Sequence, residues 1–184
     1  GVCLDRYLLM RPYTGKKSKG IYQSILEGVR SSDVDRFTSI LPDEKSIYAR
    51  FASYCLSKIE EKKPGLDEIM ASRMLEEESI LEKRLPVLNT LGNNAPFIGL
   101  LGTVLGVIKA FHGLGTLGNT GAEVVMRGIS SALLATAAGL FIAVPVVMFN
   151  NFFTARIQEI MKNLLILSKE MTALAAHSAV KKKK

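Results

Sequence analysis

Two long uncharged stretches carry hydroxyl side chains on small-residue faces: Thr103 in Leu88–Ile108 and Ser130, Ser131 and Thr136 in Gly128–Phe149. A hydroxyl both donates and accepts a hydrogen bond, so it can hold water or a carboxylic acid in place, yet it does not titrate near neutrality. The same depth of chain contains no Asp, Glu or His, the usual intramembrane proton carriers. Thr103 shares its helical face with Pro96, Gly99, Gly106 and Ala110, spaced at three and four residues. Ser131, Ala135, Gly139 and Ala143 form one small-residue stripe on the second stretch, with Gly128, Ala132 and Thr136 beside it. Simple helix packing explains any one of these hydroxyls, each bonding to the carbonyl one turn back. Four of them on two small-residue faces point to a polar lining. If protons pass there, the hydroxyls can only supply hydrogen-bonding sites for water or for a carboxylate donated by another chain. His112, at the outer end of the first stretch, reads as an interface residue. There is no nucleophile–base pair, metal-ligand cluster or phosphate loop, so no enzyme, metal or cofactor is expected.

Each stretch is long enough to cross a hydrocarbon core, which takes about 20 apolar residues as helix. Their Gly, Ala, Ser and Thr content exceeds what a lipid-facing anchor needs and lets backbones approach closely; Gly102 and Gly106 make a GxxxG pair. Phe97, Ile98, Leu101, Leu105 and Ile108 occupy the opposite side of the first span.

The net charge is +7, but the basic residues cluster beside the apolar spans: Arg6, Arg11, Lys16, Lys17 and Lys19, then Lys83 and Arg84, then Arg156 and Lys162. That placement follows the positive-inside rule and excludes a nucleic-acid surface as the main reading. The joining segment Gly113–Val125 carries no Lys or Arg and one acid, Glu123, so it is expected to face outward. Lys109 and Arg127 sit at the outer span ends, where long side chains snorkel. The two cysteines, Cys3 and Cys55, form no motif and read as reduced. Gly1–Leu4 looks like the last turn of a first transmembrane helix that is missing or truncated; the two visible spans are also self-consistent as a hairpin.

The expected fold is an all-α integral membrane protein whose long helices extend into the cytoplasm. The expected segments are 1–4, the end of a first span; 5–87, a cytoplasmic helical region; 88–112, a transmembrane helix; 113–125, a periplasmic turn; 126–153, a transmembrane helix; and 154–184, a cytoplasmic tail. A helix is predicted over Ser18–Val29, and Ser32 or Asp33 can cap the next. Pro42-Asp43-Glu44 reads as the start of a helix bearing Ile47, Phe51, Tyr54, Cys55 and Ile59, and Pro64-Gly65 breaks it. From Leu66 one helix is expected to run into the first span, with Ile69, Met70, Met74, Ile80, Leu81, Leu85 and Leu88 on a broad face and kinks allowed at Pro86, Gly92 and Pro96. Ile157, Ile160, Leu164, Leu167, Met171 and Leu174 form a heptad-type seam, packing on the chain's own helices or on neighbouring subunits. Lys181–Lys184 reads as a solvated tail.

The runs Asn94-Ala95-Pro96-Phe97-Ile98-Gly99-Leu100-Leu101-Gly102-Thr103-Val104-Leu105-Gly106, Gly128-Ile129, Ala132–Leu140 and Ala143-Val144-Pro145 closely resemble the MotA/TolQ/ExbB proton-channel family, nearest its ExbB and TolQ branch. The resemblance implies an inner-membrane, multi-pass subunit forming a homopentamer around the single spans of an ExbD- or TolR-like partner. That partner supplies a membrane aspartate, and a TonB- or TolA-like transducer carries proton-driven work to outer-membrane transport. TolQ-like envelope maintenance, another motor of the family and a non-conducting scaffold are the alternatives. The pore-lining threonines of the family fall on Thr103 and Thr136. Gly99, Gly102, Gly106, Ala135, Gly139, Ala143, Pro96 and Pro145 become helix-packing positions, with membrane lipid around them. One departure is Ser131, which stands where the family's Gly-Ile-Ala-Glu-Ala-Leu motif has glutamate; only a polar pore contact is carried over to it.

Overall fold

A computed structural model describes residues 5, 8, 10, 13, 15–31, 39, 46–117 and 121–181. The expected span end at 1–4, the cap candidates Ser32 and Asp33 and the expected helix start at Pro42–Glu44 lie outside the described residues. All regular structure among the described residues is helical: α1 (Lys16–Ser31), α2 (Ile47–Glu60), α3 (Leu66–Glu82), α4 (Leu85–Leu117) and α5 (Gly121–Lys181). Two compact units result, one from residues 1–83 and 153–184, the other from 84–152.

In the first unit, α2 starts at Ser46, an N-cap whose Oγ accepts the Ala49 N–H at 3.5 Å. It ends in a Schellman turn: Lys62 N–H donates to Ile59 O at 3.1 Å, and Lys63 N–H to Lys58 O at 3.4 Å. Lys62 holds the left-handed conformation there, at φ 52°. Pro64 cannot continue the helix, and Gly65, at φ 73°, redirects the chain into α3. Asp67 and Glu68 then lie in the first turn of α3, at the positive end of its dipole.

Ile25, Ile47, Phe51, Cys55, Met70 and Leu81 are fully buried, and so is the α5 seam from Ile157 through Met171, with Leu174 half-buried. The seam packs on the chain's own helices. Asn163 Nδ2 donates to the Tyr48 hydroxyl at 3.1 Å, Ser168 Oγ lies 3.5 Å from Met70 Sδ, and Lys169 pairs with Asp67 at 2.9 Å. Ile80, placed on the broad α3 face by spacing, is instead exposed, and a charged residue, Glu77, takes the core. Its carboxylate meets Arg50 at 2.9 Å and Arg73 at 2.6 Å, and Arg73 also lies over the Tyr54 ring. Two guanidiniums make the buried charge tolerable.

The expected single helix from Leu66 into the first span is broken. α3 stops at Glu82, Arg84 turns through φ 69°, and α4 begins at Leu85. Pro86 accounts for the break, because its ring has no N–H for Glu82 O and would clash with that carbonyl. In the first turn of a new helix the missing donor costs nothing. Farther on, α4 and α5 accommodate Pro96 and Pro145 within continuous helix. Helix also occupies Gly113–Leu117 and Gly121–Val125, both ends of the segment expected as a turn; residues 118–120 lie outside the described set.

Both α4 and α5 contain windows long and apolar enough to cross a membrane, and only 17% of each window is buried within the chain. A core helix of a soluble domain would be mostly covered.

Candidate functional site

The second unit is a pair of helices, α4 and the first part of α5, meeting along their smallest residues. At the crossing, Gly99 and Gly139 bring backbone against backbone. A methyl on Gly139 would lie 2.6 Å from Ala95 O and 3.0 Å from Gly99 Cα, and one on Gly99 would lie 2.8 Å from Ala135 O. Only glycine permits that approach. On either side the contact continues through Gly102 with Ala135, Gly106 with Ala132, Gly128 with Ala110, and Gly92 with Val147. Ala95, Ala110, Ala132 and Ala143 are accordingly buried, while Phe97, Ile98, Leu101, Leu105 and Ile108 point outward. Ala95 and Gly92 belong to this contact although spacing from Thr103 did not select them.

Thr103 and Thr136 meet inside the contact. Their hydroxyl oxygens are 3.1 Å apart. Thr103 donates back to its own helix, with Leu100 O at 2.7 Å and Gly99 O at 3.4 Å. Thr136 reaches across instead of one turn back, to Gly99 O on α4 at 3.2 Å. With one proton each, Thr103 donates within its own helix and Thr136 donates either to Gly99 O or to the Thr103 hydroxyl, so both protons find an acceptor without an outside group. Both side chains are half-buried.

Ser131 is not part of this pair. It is exposed, as is Ser130, and it lines an open groove of about 660 Å³ together with Gly102, Gly106, Lys109 and Arg127. Pro96 is half-buried, whereas Pro145 is exposed beside Phe141 and Val144.

Chemically, the helix pair offers hydroxyls and backbone carbonyls but no titratable group at mid-depth. Glu123 is the only acid between Lys83 and Gln158. The arrangement can orient a proton-bearing group or water, and it cannot itself carry a charge.

Comparison with known proteins fits this picture. The model of the MotA/TolQ/ExbB proton channel family matches residues 42–165. The chain is 38% identical over 110 residues to the Tol-Pal system protein TolQ of Pseudomonas aeruginosa, covering 60% of this chain and 48% of that protein. It is 38% identical over 94 residues to the biopolymer transport protein ExbB of Aquifex aeolicus, covering 51% and 62%. To ExbB of Helicobacter pylori it is 45% identical over 71 residues, covering 39% and 49%. The chain thus spans about half the length of the curated relatives it matches.

Proposed function

The chain belongs to the MotA/TolQ/ExbB proton channel family, and on that footing we propose that it is the channel subunit of a proton-driven motor in a bacterial inner membrane. The observation that carries this reading is the Thr103–Thr136 hydroxyl pair, set between two apolar helices at a depth without a single carboxylate. A hydroxyl pair there serves as a hydrogen-bonding station for a proton that another group brings. In this reading an ExbD- or TolR-like single-span partner supplies the carboxylate. Copies of the chain, expected as a pentamer, surround the partner's helix and turn the proton motive force into motion. A TonB- or TolA-like transducer passes that motion to outer-membrane transport or to envelope maintenance. Ser131, exposed on the groove, is assigned no proton-carrying part.

One observation favours a second reading. The two hydroxyls are fully satisfied by each other and by backbone carbonyls, as polar glue between helices would be. A non-conducting scaffold needs nothing more of them.

Proton flux separates the two. The chain and its partner, co-reconstituted in proteoliposomes carrying a pH-sensitive dye, should pass protons under an imposed potential. Thr136→Val should stop that flux while native mass spectrometry finds the same subunit number. Unchanged flux in Thr136→Val would sink the pore role of that residue, and no flux from the unaltered chain with its partner would leave the scaffold reading standing.

A further inference from the structure

Lys109 and Arg127 are the two cations that the proton pathway does not use. Gly128 packs on Ala110 in this antiparallel pair, so Lys109 and Arg127 lie one residue to either side of that contact, about 3 Å apart along the helix axes. Both are exposed and both line the groove of about 660 Å³ between α4 and α5. Neither makes an ion pair among the described residues. Glu123, one helical turn from Arg127, is the only acid in the sequence between Lys83 and Gln158, and it bonds to neither cation. Two like charges close together at the headgroup level, where long side chains snorkel, can share one external anion.

The rest of the groove says which anion. Below the cations its wall is Gly102, Gly106 and Ala135, small and apolar, with only the Ser131 hydroxyl among them. A ligand with a charged end at the level of the cations and a thin apolar remainder fits. The volume lies in the ~300–1,000 Å³ range of small-molecule sites. We propose that this groove holds an anionic phospholipid, its phosphate between Lys109 and Arg127 and part of one acyl chain along the glycine wall. Both cations lie where a headgroup phosphate would sit and favour a net negative lipid over one whose own ammonium offsets the phosphate. Together they select phosphatidylglycerol over zwitterionic lipid.

The test uses the full chain in nanodiscs containing equal phosphatidylglycerol and phosphatidylcholine, followed by native mass spectrometry of the lipid that survives detergent exchange. Phosphatidylglycerol should be retained over phosphatidylcholine by on the order of tenfold. The preference should fall to parity in the Lys109→Gln/Arg127→Gln double variant and persist in Lys109→Arg/Arg127→Lys, with circular dichroism checking the fold of each. Parity in the unaltered chain overturns the proposal, and so decides the matter even if the double variant does not fold. A preference that survives both Gln substitutions overturns it too. Displacement of the lipid by millimolar inorganic phosphate or by a carboxylate-bearing partner helix assigns the cations to that anion instead. The measurement needs neither partner nor proton flow, so it stands or falls apart from the channel reading.

Discussion

The Thr136 hydroxyl on α5 lies 3.1 Å from the Thr103 hydroxyl on α4 and donates to Gly99 O at 3.2 Å, so one side chain ties two backbones and a second hydroxyl together. Valine matches threonine in shape and removes that capacity. Thr136→Val should lower stability by about 1 kcal/mol, the size of one interhelical hydrogen bond in a membrane. Proton flux should be lost entirely, while Thr136→Ser retains part of it. Thr103→Val, which removes a bond within its own helix, should cost less stability for the same loss of flux. Thermal unfolding in detergent and dye-monitored flux measure the two effects separately.

Gly139→Ala places a methyl 2.6 Å from the Ala95 carbonyl, and backbone cannot swing aside as a side chain can. The helices must part, at a cost of about 1–3 kcal/mol, and thermal unfolding in detergent should show a lower melting temperature. Gly113→Ala is the contrasting case. Its methyl would find only Val124 Cγ1, at 3.8 Å, and should leave the melting temperature unchanged or raise it.

Glu77 is 1% exposed and held by Arg50 and Arg73. Glu77→Gln keeps the shape and strands two guanidiniums. Because both arginines reach solvent in part, the penalty should fall below the ~3–5 kcal/mol of a fully buried pair, at about 2 kcal/mol. Urea unfolding followed by circular dichroism would register it as a lower midpoint at constant slope.

Lys62 closes α2 in a left-handed conformation that costs an L-residue about 1 kcal/mol. Lys62→Gly should therefore stabilise the chain by up to that amount, an unusual sign for a glycine substitution. A lower melting temperature in Lys62→Gly would contradict the role given to this turn.

Burial pushes the Cys55 thiol up to about 12 from 9.0. The folded state thus keeps a proton that the unfolded state releases. The resulting stability is complete below about pH 9 and is lost as pH rises toward 12. In a Cys3→Ser background, iodoacetamide at pH 8 should label Cys55 only after unfolding. Cys55→Ala should make the alkaline decline of stability shallower, with Tyr48, which burial also raises, contributing the remainder.

Spacing alone located most of the helix contact. Gly99, Gly102, Gly106, Ala135 and Gly139 stand out because small residues at three- and four-residue intervals have few uses in an apolar helix other than close approach. The α5 seam at Ile157–Met171 is equally plain from its period, though only packing could say that it docks on the chain's own helices. Other features left no trace in the pattern. Thr136 bonds across the contact because Gly99 O lies within its reach, a matter of depth and rotation. Glu77 sits among four consecutive Glu and Ser residues that read alike, and only the position of Arg50, 27 residues away, makes it the buried one. The break at Arg84 follows from Pro86, which reads as a kink or as a new helix start depending on what surrounds it.

Helices that interlock through side chains must unmesh before one can rotate on the other. At Gly99 and Gly139 there is nothing to unmesh, since each presents only a smooth backbone surface to the other. The separation of the two helices is therefore set by backbone alone at that point, while the flanking Gly–Ala contacts and the Thr136–Gly99 bond hold the crossing angle. Any change in side-chain size at Gly99 or Gly139 would thus be felt along the whole helix pair, because nothing at that point can yield.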